Sequence, residues 1–200
     1  MSYDISLINR KTGKSCTMAK QRIRGGTVPA EYDEITGRLV HAPQTSCDIN
    51  ITYNYSPYYH DATQGDENFA HEETFHGKPE IEYGVRGLYG KTAKESIPML
   101  EKMISEIDRM NKDENGEWKI SIHVRHHYFY KDGKECNDPI HAMLHDKIKL
   151  IQKDEKYSVS EGDTSDYWEA TAANAMIPLM DMLNMALTNM NNPDAVWDGD

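Results

Sequence analysis

Between Trp168 and Met190 the chain makes one sustained demand. Trp168, Ala172, Ala175, Leu179, Leu183, Ala186 and Met190 recur at helical spacing, a stripe that must be covered by something else. Asp166, with Glu169 three residues on, supplies a start for this helix, and Pro178 predicts a bend within it. A helix this apolar needs a second layer to lie against, and the N-terminal third offers one. In DINITYNY, residues 48–55, Ile49, Ile51, Tyr53 and Tyr55 alternate with Asp48, Asn50, Thr52 and Asn54. That is a strand with one apolar and one polar face, closed by Ser56-Pro57 because proline cannot donate to a ladder. Tyr3, Ile5 and Leu7 alternate in the same way, KTGK turns the chain around Gly13, and a second strand runs near Ser15 to Ala19. EITGRLVH leads through a turn into a further strand.

The middle of the chain adds helices. Thr92-Ala-Lys-Glu95 has the capping-box pattern, and Ile97, Leu100, Met103, Ile104, Ile107 and Met110 follow at helical spacing. Pro98 predicts either a kink or a later start capped by Ser96. Trp118, Ile120, Ile122 and Val124 then alternate as a strand that continues through HHYFY to the turn dipeptide Asp132-Gly133. KECND pairs poorly as a strand, whereas Asp138-Pro139 is a good helix start with Ile140, Leu144, Ile148 and Ile151 as its apolar stripe. The sum is an α+β fold: an N-terminal antiparallel β-sheet followed by a helix, a β-strand or hairpin, and two further helices. It reads as a single domain over residues 1–200, with insertions at about 61–82 and 112–163. Residues 61–82 show neither period and predict a long loop, a feature that is often functional when ordered. Val196 and Trp197 are expected to dock the closing residues onto the body.

Charge is distributed unevenly. The formal net charge is −11, which argues against nonspecific nucleic-acid binding and fits a basic partner. Arg10, Lys11, Lys14, Lys20, Arg22 and Arg24 form a basic segment without an acid. Asp61, Asp66, Glu67, Glu72, Glu73, Glu80 and Glu82 form an acidic one whose only cation is Lys78. Both segments can be plain solvated faces; the sharper expectation is that the acidic one presents carboxylates to a basic surface on another protein. Cys16, Cys47 and Cys136 are an odd number without Cys-x-x-Cys spacing, as in a reducing compartment. The N-terminus carries no apolar signal segment, so the expected location is the cytoplasm.

EYGVRGLYGKT, residues 82–92, resembles a phosphate-binding loop, but the first glycine that pattern needs falls on Val85. The glycines then read as an approach to a capped helix, with Arg86, Lys91 and Thr92 as candidates to meet an anion at its N-terminus. His141 and His145, spaced i,i+4, are weak metal candidates on a face that solvent also explains. His71 and His76 with Glu72 and Glu73 form a looser mixture, and His123, His126 and His127 with Arg125 suit either an anion or an exposed sheet surface. Of the four tyrosines 53, 55, 58 and 59, the alternation leaves Tyr58 and Tyr59 as surface candidates for stacking bases. No nucleophile elbow or dinucleotide fingerprint is present, so neither an enzyme nor a cofactor is expected.

Four blocks in order, ITYNYSPYY, GVRGLYGKTAKESIP, DYWEATAANA and PDAVWDGD, resemble a family of small proteins of unknown function encoded by tailed phages and prophages. The resemblance implies no catalytic residues. It implies an accessory factor acting in the bacterial host cell, here an anti-CRISPR-like inhibitor that binds a basic, nucleic-acid-binding defence effector through its acidic surface. The alternatives are a metal-dependent hydrolase or nuclease built on a histidine cluster, and a phage structural or replication accessory protein assembling through its methionine-rich helices.

Overall fold

The computed structural model describes residues 2–21, 23, 30–32, 39–41, 44–75, 77–111, 114–115, 129–131, 134–136, 151–152, 170 and 172–200. Strand β1 (Ser2–Asn9) is the centre of the main antiparallel sheet. One flank is β13 (Ala195–Gly199), paired from Ile5 opposite Gly199 to Asn9 opposite Ala195. The other flank is shared, because β7 (Asp48–Thr52) pairs with Ser2 to Ser6 and β2 (Lys14–Ser15) pairs with Ile8 and Asn9. Three backbone bonds close the junction: Leu7 N–H donates to Cys47 O, Cys16 N–H to Leu7 O, and Cys47 N–H to Cys16 O. Both cysteines are buried there outside any disulfide, and burial pushes the Cys16 thiol up. The turn at residues 11–13 places Gly13 at φ 66°, the conformation that the KTGK reading anticipated.

Alternation along β1 puts Tyr3, Ile5 and Leu7 on one face, beside Ile51, Ile49 and Trp197 of the neighbouring strands. Two long helices pack together against this sheet: α2 (Ala93–Met110) meets β13, and α3 (Ala172–Asn189) meets β7 and β3 (Thr17–Gln21). Smaller antiparallel pairs surround them: β3 with β6 (Gln44–Ser46), β4 (Ala30–Tyr32) with β5 (Leu39–His41), and a three-stranded group in which β10 (Phe129–Lys131) lies between β11 (Lys134–Cys136) and β12 (Ile151–Gln152). This is the expected α+β arrangement. None of the helices among the described residues is long and apolar enough to cross a membrane.

Several local expectations change. The strand DINITYNY ends at Thr52, and Tyr53–Tyr55 form a 3-10 turn that passes into α1 (Ser56–Thr63), with Pro57 in its first turn. Its expected polar face is covered as well: Asn50 is buried, its amide donating to Ser2 Oγ and to Asp4 Oδ1. Tyr59, expected at the surface, is fully buried, with its hydroxyl donating to Ala175 O. Tyr58 reaches Ala170 O, so no exposed base-stacking platform forms from this pair. Helix α2 begins at Thr92's cap and runs through Pro98, because the side chains of Thr92 and Glu95 cap each other's backbone and make the early start the stable one. Helix α3 is buried from Asn174 to Ala186 on every side, not along one stripe. Lys134–Cys136 pairs with Phe129–Lys131 as a strand after all, and Ile151, expected on a helix, pairs with Tyr130. The other residues of the Trp118–Arg125 strand and of the helix from Pro139, and the start of the last helix at Asp166, lie outside the described residues.

The largest correction falls on residues 61–82. They are not a loop. The end of α1 is followed by a 3-10 turn, Glu67–Phe69, and then by an antiparallel hairpin of β8 (Ala70–Phe75) and β9 (Lys78–Tyr83). Gly77, at φ 77°, sits in the two-residue connection. The pattern is hard to read in the sequence because β8 carries polar groups on both faces, and the only period-2 alternation, Pro79, Ile81 and Tyr83 in β9, is short and opens on a proline.

Candidate functional site

The acidic hairpin is a two-stranded ribbon that joins no other sheet among the described residues. Such a ribbon is marginal in water unless something holds its root. Its register sets Glu73 opposite Glu80 and His71 opposite Glu82, so one face carries three carboxylates, two of them directly paired like charges that repel. Arg86 resolves this. It projects from the 3-10 turn Val85–Leu88 that follows β9, and its Nη1 donates to Glu73 and, at 3.0 Å, to Glu82 Oε2.

The Arg86 side chain is 13% exposed, and its guanidinium lies 5.4 Å from the centre of the Tyr3 ring, whose hydroxyl donates to Glu82 Oε1 at 2.8 Å. One cation therefore ties both strands of the ribbon to the central strand of the main sheet. Burial opposes the charge on Arg86, but Glu82 and Glu73 outweigh it and raise its pKa. Burial first, and then the hydrogen bond to Glu82, push Tyr3 far above the ordinary tyrosine range. Tyr89 completes the surround: its ring meets His71 edge-on, its hydroxyl donates to Asp200 O, and burial pushes its pKa up to about 12. Arg86 Nε is buried without a hydrogen-bond partner among the described residues.

The glycines of GVRGLYGKT explain how the chain reaches this geometry. A Cβ on Gly87 would stand 2.4 Å from Phe69 Cα, and one on Gly84, already at φ 132°, would stand 3.1 Å from Tyr59 Cβ. Both glycines let the turn press against neighbouring backbone and aim Arg86 at the ribbon.

The seven acidic candidates divide into two groups. Glu73 and Glu82 are held by Arg86, and Asp66 caps the 3-10 turn and pairs with Lys102 Nζ at 2.5 Å. The Lys102 and Asn68 hydrogen bonds hold Asp66 below the usual carboxylate range. Asp61, Glu67, Glu72 and Glu80 are exposed and make no ion pair with lysine or arginine among the described residues. Among the described residues Asp61 pairs only with His60, at 3.5 Å.

The three anion candidates are not brought together. Arg86 is turned to the ribbon, Thr92 caps α2, and the helix N-terminus already holds an anion in Glu95, whose carboxylate accepts from Thr92 N–H and Oγ1. Lys91 lies instead along a shallow groove of about 390 Å³ with Asp66, Phe69, Glu95 and Lys102. His76, His123, His126, His127, His141 and His145 lie outside the described residues. Among those described, no group of three or more His, Cys, Asp or Glu side chains is placed to hold a metal ion.

Sequence reasoning missed the clamp by Arg86, which it offered only as a candidate to meet an external anion. The available signal was the run from Glu72 to Glu82 read as two short strands about His76-Gly77, which puts Glu73 and Glu82 on one face. Fold and site together define an α+β protein that carries a clamped acidic β-arm. In comparisons with known proteins, no family model, curated protein or solved structure matches the chain.

Proposed function

We propose that this chain acts by binding rather than by catalysis, as a phage-encoded accessory factor that inhibits a bacterial defence system. Its acidic surface engages a basic, nucleic-acid-binding effector protein of the host, a CRISPR nuclease being one such target. The reading is supported chiefly by the carboxylates Asp61, Glu67, Glu72 and Glu80, which are exposed and have no lysine or arginine partner among the described residues of a chain of net charge −11. A groove that holds phosphates is attracted to an array of carboxylates by the same Coulombic force, and occupation of that groove excludes nucleic acid. The phage origin comes from the resemblance of the four sequence blocks.

The test is capture from host lysate on immobilised protein at low and high salt. The expected catch is a basic nucleic-acid-binding protein that is lost as salt screens the contact, and whose nucleic acid is displaced by added chain. Charge reversal at Glu67, Glu72 and Glu80 together should abolish capture. Glu73 and Glu82 are left intact because their reversal would release Arg86. Recovery of no such protein, or equal capture by the reversed variant, removes the reading.

A further inference from the structure

The face of the ribbon opposite Arg86 has a different character. Register and alternation place Ala70 with Tyr83, Glu72 with Ile81, and Thr74 with Pro79 on that face. Pro79, Ile81 and Tyr83 thus form an apolar stripe along β9. Its root is covered, since the Tyr83 ring meets His60 of α1 edge-on at 6.0 Å. Its outer part is open: Thr74, Pro79 and Glu72 are exposed, and Ile81 is 56% exposed, more than any other large apolar side chain among the described residues. A large apolar residue on this outlying ribbon is left more than half exposed by its own fold, while the opposite face is occupied by the clamp.

We propose that this outer face of the β8–β9 arm is the docking surface, with Ile81 as its apolar anchor and Glu72 as the charge beside it. Its occupant is a protein surface that carries lysine or arginine side chains around an apolar pocket. The inference rests on the binding reading above and narrows it to one face. Charge decides the occupant: Glu72 lies directly across from Ile81, with Asp61 at the root next to His60, and neither has a lysine or arginine partner among the described residues. A second copy would bring its own Glu72 and a net charge of −11 to the same contact, so self-association is disfavoured.

The test uses three synthetic peptides as defined probes, alternating lysine with leucine, lysine with serine, and glutamate with leucine, each titrated against the full chain by fluorescence anisotropy. The lysine–leucine peptide is expected to bind in a salt-sensitive way, and the other two weakly or not at all. Ile81→Ser and Glu72→Lys, both at exposed positions and checked for unchanged circular dichroism, should each weaken binding by about tenfold or more. If the lysine–serine peptide binds equally well and Ile81→Ser has no effect, the apolar face is overturned while acidic binding survives. If neither cationic peptide binds, both readings fail. Preferential binding of the glutamate–leucine peptide, or concentration-dependent dimerisation lost in Ile81→Ser, also overturns the stated occupant.

Discussion

The indole of Trp197 donates to Ser96 Oγ at 2.7 Å, and Ser96 passes the bond on to Ala93 O inside the first turn of α2. Both residues are buried, 101 positions apart in the chain. The neighbouring backbone reinforces the contact, with Gly90 N–H donating to Trp197 O and Trp197 N–H to Lys91 O. The last strand is therefore both an edge of the main sheet and the brace of the helix N-terminus. Ser96→Ala strands a buried indole N–H and should cost about 1–3 kcal/mol, whereas Trp197→Ala should cost about 3–5 kcal/mol. Urea unfolding followed by circular dichroism measures both, and a Ser96→Ala variant as stable as the parent would show that the bond contributes nothing.

Gly87 should tolerate no side chain. The nearest atoms to its added Cβ are Phe69 Cα, C and O, all backbone, so relief requires two segments to separate. Gly87→Ala should destabilise by about 1–3 kcal/mol, the range for overpacking. Gly90→Ala is the informative comparison: its φ is 76° but no atom lies within 4 Å of its Cβ, so only conformational strain is added.

The cap on α2 gives a prediction in two parts. Thr92→Ala removes the side chain that accepts from Glu95 N–H at 3.2 Å and should cost about 1 kcal/mol. The acid side follows from three carboxyls held low: Glu95 by Thr92, Asp66 by Lys102 and Asn68, and Asp194 by Lys11 and Arg10. A lowered folded-state pKa means that stability is fully present above the ordinary values, 4.5 for Glu and 3.8 for Asp, and is lost as pH falls through the lowered ones. Glu95 is exposed, and Asp66 and Asp194 are partly buried surface groups, so the loss should be shallow. Thr92→Ala should flatten it further in acid-titrated urea midpoints.

What the sequence made legible divides along physical lines. The capping box at Thr92 and Glu95 and the alternation of Tyr3, Ile5 and Leu7 are local signals, and the structure carries both. The end of DINITYNY was obscured because Tyr53 and Tyr55 suit a buried strand and a buried helical turn equally well. The arm from Ala70 to Tyr83 was hidden because its stabilising partner, Arg86, lies outside the two strands, and because β8 shows no apolar period to match the short alternation of Pro79, Ile81 and Tyr83 in β9. Asn50, Asn174 and Asn184 were hidden for a related reason: each is polar by type yet buried, and only tertiary partners decide that.

Arg86 should govern the arm without governing the whole fold. Arg86→Gln removes the cation between Glu73 and Glu82 and restores repulsion between Glu73 and Glu80. Hydrogen exchange should then rise across β8 and β9 and much less in α2 and β1, since the ribbon shares no strand pairing with the main sheet among the described residues. High salt should partly restore protection by screening the carboxylates. Uniform acceleration across the protein would show instead that the clamp supports the core.

The tyrosines set the alkaline limit. Tyr3 and Tyr89 are both raised by burial, Tyr89 to about 12. A raised folded-state pKa contributes stability that is fully present below the ordinary tyrosine value of 10.0 and is lost as pH rises through the folded one. Stability should therefore hold to about pH 10 and fall steeply toward pH 12, the reverse of the shallow acid limb. Phenolate absorbance should show exposed tyrosines ionising first, with the remainder appearing together with the loss of circular dichroism. Tyr3→Phe keeps the ring under Arg86 and removes the titrating hydroxyl, so it should move the alkaline midpoint upward, at some cost at neutral pH from the lost bond to Glu82. An unchanged alkaline midpoint in Tyr3→Phe would assign the transition to Tyr89 and the other tyrosines.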